Sequence, residues 1–139
     1  MRKKRNSERG ATMVESGLTI SLFLMLVLGI WNFGRAYHVY QIATNAAREG
    51  ARFSVAPDPA TGQLPSTTAV QGRVQEFLDL GAVVVDSSNI TVAQNESLTI
   101  NSIPMTVTTV EVTAPFEFYG LPFGPINIRT EARMRNETN

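Results

Sequence analysis

The chain of 139 residues contains no cysteine, a single histidine, and no lysine beyond residue 4. Without cysteine there are no disulfides and no thiolate-bound metals, although many exported domains also lack disulfides, so no compartment follows. His38 has no carboxylate at ligand spacing, which gives it a surface or packing role. No glycine-rich phosphate loop and no nucleophile elbow occurs. Asp58, Asp79 and Asp86 stand in ordinary loop or cap contexts. No catalytic residue, metal or cofactor is therefore assigned, and the expectation is that the chain is not an enzyme. One further absence is local: no charged side chain occurs from Ser16 to Gly34.

The charges that are present are segregated. Residues 1–10 hold five basic groups (Arg2, Lys3, Lys4, Arg5, Arg9) against Glu8, a net +4. From Ala11 onward seven arginines face eleven acids, a net −4, so the neutral total hides a basic leader on an acidic body. A basic head also suits nucleic acid. Here it abuts an apolar run, and orientation by the positive-inside rule is the better reading, with no nucleic-acid partner.

About 20 predominantly apolar residues cross a hydrocarbon layer of ~30 Å. The charge-free run, with Leu18–Phe33 nearly all apolar, meets that length and makes the lipid bilayer a partner. Basic residues before it place the N-terminus in the cytoplasm and the remainder outside, as a single-pass protein of the cytoplasmic (inner) membrane. Trp31, Tyr37 and Tyr40 fall at the outer end, where aromatic rings favour the interface. A secretory signal peptide needs a small-residue cleavage site behind a shorter run, and Trp31-Asn32-Phe33-Gly34-Arg35 is a poor one. An uncleaved signal anchor accounts for the span but leaves Arg9-Gly10 and Glu15 to chance.

A pilin-like reading gives those residues reasons. Gly10 lets a membrane protease approach the backbone closely. Cutting between Gly10 and Ala11 creates an α-amine of pKa near ~8, mostly protonated at neutral pH. Glu15 then pairs with that ammonium, its own or a neighbour's. An unpaired carboxylate is strongly disfavoured in apolar surroundings, so the pairing sets the axial register of adjacent subunits.

The helical pattern continues beyond Gly34. Arg35–Phe53 has no proline and is rich in good helix formers. Gln41, Thr44, Asn45, Arg48, Glu49 and Arg52 share one face; Ala36, Val39, Ala43, Ala47 and Gly50 share the opposite one. One helix from Ala11 to about Phe53 is expected, roughly 65 Å long. The small pairs Ala43/Ala47, Ala46/Gly50 and Ala47/Ala51 admit a close backbone, either of the chain's own head or of a neighbouring subunit.

Arg9-Gly10-Ala11-Thr12-Met13-Val14-Glu15, the span, Phe33-Gly34-Arg35 and Asn45-Ala46-Ala47-Arg48-Glu49-Gly50-Ala51-Arg52 resemble the TadE-like family of minor pilin-like (pseudopilin) proteins. That family serves the tight-adherence, or Flp/type IVc, pilus of bacteria. Thr130-Glu131-Ala132-Arg133-Met134-Arg135 resembles its C-terminal strand. The strong match covers about residues 8–55. The resemblance implies processing by a prepilin peptidase at Gly10–Ala11 and a part in pilus assembly and thereby adhesion. Its implied partners are the major pilin, other pseudopilins and the inner-membrane assembly platform. One position departs: the family's motif commonly has an aromatic after the glutamate, and Ser16 stands here.

The remainder reads as a small head. Pro57-Asp58-Pro59 and Gly62 to Pro65 break the helix. Ser66 or Thr67 caps a short helix at about Ala69–Leu80, with Val70, Val74, Phe77 and Leu78 on one face and Gly81 at its end. Alternation then turns to period two, clearest at Val110–Phe118, with further strands around Ile90–Val92, Leu98–Ile100 and Ile126–Arg135. The expected class is α+β: a long N-terminal transmembrane and amphipathic helix carrying three or four antiparallel strands and one short helix. The units are a basic leader 1–10, a transmembrane helix 11–34, its continuation 35–55, and an extracytoplasmic head 56–139. The apolar loop Phe118–Pro125 either closes the base of the sheet or presents Tyr119, Leu121 and Phe123 to a partner pilin or the membrane surface. Asn89-Ile90-Thr91, Asn95-Glu96-Ser97 and Asn136-Glu137-Thr138 match the N-glycosylation pattern by chance in a bacterial chain.

Overall fold

The structure, a computed structural model, describes residues 3–59, 61–100 and 102–136, with side chains from Gly10 onward except Ile100 and Ile103. Arg2 of the leader, and Glu137 and Thr138 of the last glycosylation-like tripeptide, lie outside the described residues.

The first element is one helix, α1, over Lys3–Val55, 53 residues and about 80 Å long. It starts at Lys3 rather than at Ala11, so the leader and the span are helically continuous. Nothing in the leader opposes this: its basic and polar residues tolerate helix, and Gly10 costs only about 1 kcal/mol relative to alanine. The chain then turns through 56–66 into α2, Thr67–Leu80, whose N-cap Ser66 accepts a hydrogen bond from the Ala69 N–H at 3.2 Å.

Helix α2 ends in a Schellman turn. The Val83 N–H donates to the Leu78 carbonyl and the Ala82 N–H to that of Asp79, both at 3.0 Å. The left-handed position is Ala82, at φ 54°, and not Gly81, at φ −83°. Gly81 is needed for space: a Cβ there would lie 2.4 Å from Ile42 Cγ2 on α1.

A 3-10 turn, Ser87–Asn89, leads into three antiparallel strands: β1 Ile90–Ile100, β2 Ile103–Phe116 and β3 Ile126–Arg135, in the order β1-β2-β3. The central strand begins at Ile103, earlier than the Val110 suggested by alternation, and Phe118 lies beyond its end. The parity of β1 breaks at a bulge between Ala93 and Glu96, where Asn95 has φ 59°. Asn136 holds this bulge. Its Nδ2 donates to Asn95 Oδ1, its Oδ1 accepts from the Thr108 hydroxyl, and its N–H donates to the Thr106 carbonyl, at 2.9, 3.0 and 2.9 Å. Pro115 sits where pairing with β1 has ended, β1 reaching only Val112, so its missing N–H leaves no gap in that ladder.

The outer half of α1 and α2 cover one face of the sheet. Between them lie Ala43, Ala46, Ala47, Ala51, Val70, Val74, Leu78, Ile90, Val110, Val112 and Ala114, all buried. The helix thus completes the head's core. On β3 only the centre is covered: Thr130 is buried, Ile128 and Ala132 are half-buried, and Ile126 and Met134 are exposed.

Candidate functional site

Residues 10–27 of α1 are exposed throughout, and they belong to a helix long and apolar enough to cross a membrane. Two of its hydroxyls are satisfied internally: Thr19 Oγ1 donates to the Glu15 carbonyl at 2.9 Å and Ser21 Oγ to that of Gly17 at 2.8 Å. This is the arrangement a lipid-facing helix requires. Gly10, Ala11 and Glu15 all lie on this free segment. A Cβ at Gly10 would meet nothing within 4 Å. Among the described residues the Glu15 carboxylate has no partner, and it stands one helical turn, about 6 Å along the axis, above Ala11.

Contact with the head begins at Leu28 and is fastened by Asn32, only 1% exposed. Asn32 Nδ2 donates to the Tyr119 carbonyl at 3.0 Å and to the Leu28 carbonyl at 2.8 Å. Its Oδ1 accepts from the Tyr119 N–H at 2.9 Å. The amide therefore mimics a strand partner for Tyr119, with every donor used. Gly120 follows at φ +70°, with the Leu28 methyls 3.6 and 3.7 Å from where its Cβ would be. One turn above, the Arg35 guanidinium lies over the rings of Tyr119, Phe116 and Trp31, at 4.3, 5.1 and 5.3 Å, and donates to the Glu117 carbonyl at 3.4 Å.

The backbone of the Phe118–Pro125 loop closes the sheet against α1, while the Tyr119 and Phe123 rings stay exposed and Leu121 is half-buried. Phe118 links them, edge to face with Phe116 at 5.2 Å and Phe123 at 5.6 Å.

The small residues face the head. Ala43, Ala46, Ala47, Gly50 and Ala51 are buried against α2 and the sheet, which leaves them no surface for a second subunit. A Cβ on Gly50 would come 2.3 Å from Val74 Cγ2. Beside them Glu49 Oε1 meets the Arg73 guanidinium of α2 at 3.2 Å, and Glu76 Oε2 meets it at 2.9 Å. Donating hydrogen bonds to Glu76 and then to Glu49 raises the Arg73 pKa above its ordinary value. Among the described residues no group of His, Asp and Glu is placed to hold a metal ion.

The geometry divides α1 into a free half with one carboxylate and a half built into the head. Residues 10–52 match the family model of the TadE-like protein. The TadE-like segment thus contains Gly10, Glu15, the whole free helix, Asn32 and the buried face up to Arg52. No curated protein and no solved structure matches the chain. The TadE-like domain marks a protein associated with the Tad pilus, whose partners belong to that system.

Asn32, Arg35, Arg73 and Asn136 were not singled out as site residues by the sequence. Their partners on other elements lie 24 to 87 positions away. The only local signal was an amide inside an apolar run at Asn32.

Proposed function

We propose that the chain is a pilin-like (pseudopilin) subunit required for assembly of a Flp/Tad-type pilus and thereby for adhesion. A prepilin peptidase acts on it between Gly10 and Ala11. It is a protease substrate and an assembly component rather than an enzyme. The observation that supports this best is the free helix: Gly10–Val27 projects from a head that buries the other half of α1, with one carboxylate near its base. A lone ionisable residue at a membrane boundary is costly without a partner, and a neighbour's new Ala11 ammonium would supply one. The basic leader orients the N-terminus to the cytoplasm. Major pilin, other pseudopilins and the inner-membrane platform are the partners this surface would meet.

The test is genetic. Deletion of the gene in its host should abolish surface pili, and the intact chain should restore them. Glu15→Ala should insert and accumulate normally yet fail to restore piliation. Normal pili in the deletion strain would leave the rival reading, an uncleaved signal-anchored binding or adhesion module outside any fibre.

A further inference from the structure

The level at which the head is fastened to α1 has a consequence for the bilayer. The charge-free stretch Ser16–Gly34 has 19 residues and rises about 28 Å, close to the ~30 Å thickness of the hydrocarbon layer. The Asn32–Tyr119 hydrogen bonds and the Leu28–Gly120 contact lie on helical levels 28 to 32. At 1.5 Å per residue these levels are about 3 to 9 Å inside the outer end of that stretch. The loop is thus held beside the helix at a depth where the helix itself is apolar.

We propose that residues 118–123 form an interfacial membrane insertion, so that the head is seated in the outer leaflet and not merely tethered to it. Charge marks the same waterline on both elements. Arg35 on α1 and Glu117 on the chain leaving β2 touch each other, and below them neither element carries a charge until Glu15 on the helix side and Arg129 on the loop side. The exposed rings below that line, Trp31 and Phe33 on α1 and Tyr119 and Phe123 on the loop, are of the kind that partitions to the membrane interface, and those of Trp31 and Tyr119 lie 6.2 Å apart. Irregular backbone at that depth needs its polar groups satisfied within the protein. The Asn32 amide satisfies both backbone groups of Tyr119, and Pro122 has no N–H to satisfy. Asn32 is thereby a positioning residue for the insertion. The inference rests on α1 spanning a bilayer, but not on cleavage or on pilus assembly.

The absence of cysteine makes the test direct. Single cysteines at 123, 33 and 99 carry a nitroxide in the full chain, reconstituted in phosphatidylethanolamine–phosphatidylglycerol vesicles at high lipid-to-protein ratio. Phe123 and Phe33 are 58% and 73% exposed. Thr99, also exposed, pairs with Pro104 at the end of the sheet remote from the loop, so none of the labels disrupts the core. Collisions with oxygen and with a water-soluble nickel chelate report depth. The label at 123 should behave as the one at 33 does, favouring oxygen and losing nickel collisions, while the label at 99 shows the reverse. In Asn32→Leu the label at 123 should gain nickel access while the one at 33 does not change. The proposal is overturned if the label at 123 matches the one at 99, or if its shielding appears only when protein is crowded, which would make a neighbouring subunit the occupant. Retained shielding in Asn32→Leu would overturn the positioning role of Asn32. A label at 33 in water would refute the spanning helix itself, a separate result.

Discussion

Gly50 and Gly72 both lie inside helices, and the same substitution should act on them in opposite directions. A Cβ at Gly72 meets nothing within 4 Å, so Gly72→Ala should stabilise the protein by about 0.5–1 kcal/mol through helix propensity. At Gly50 the same gain is opposed by a Cβ placed 2.3 Å from a methyl of Val74, a stiff β-branched residue. Overpacking costs about 1–3 kcal/mol, so Gly50→Ala should be net destabilising. Ala82→Gly should stabilise by about 1 kcal/mol, because an alanine holds the left-handed position of the turn after α2. Thermal unfolding of the detergent-solubilised chain checks all three. The close contact at Gly50 was legible from a glycine in mid-helix among alanines. Asn32 was not, because what makes it matter is a backbone group 87 residues away.

Among the elements, those with a strong local signal were legible. The long helix, the capped α2 and the alternation at Val110–Phe116 all follow from periodicity and end signals. The early part of β2 was obscured because the bulge at Asn95 shifts the pairing opposite Thr108, and Val107 and Thr108 are both buried. The start of α1 was misplaced because a leader was expected to be a separate unit, whereas no residue in it stops a helix. The entry to β1 offers a test by pH. The Asp86 carboxylate accepts the Ser88 N–H at 2.9 Å, and that hydrogen bond lowers its pKa. A pKa depressed in the folded state means stability that is present above the ordinary carboxylate value of ~3.9 and lost as pH falls through the folded value. Asp86→Asn keeps an acceptor but does not titrate. The stability gap between wild type and Asp86→Asn should therefore hold constant above about pH 5 and shrink as pH falls below about 4. A gap unchanged down to pH 3 would contradict the cap's role.

For the whole molecule, the boundary between membrane segment and head does not coincide with the boundary between folded units. Ala43, Ala46, Ala47 and Ala51 supply one wall of the core, so a chain beginning at Pro57 should fail to fold, and one beginning at Arg35 should give a cooperative unfolding transition. Circular dichroism with denaturant titration distinguishes the two. The small residues of α1 therefore serve the head, which leaves the free half and Glu15 for the subunit contacts of the proposed function. That half carries the matched TadE-like residues Gly10 to Val27 and ends, at its base, on a basic leader of opposite charge to the body. Under the proposed function a prepilin peptidase removes that leader. The most direct measurement is the intact mass of the full chain after co-expression with a prepilin peptidase. A product beginning at Ala11, lacking residues 1–10 and with a net charge of −4, is the predicted result. A chain that keeps Met1–Gly10 under those conditions would contradict it.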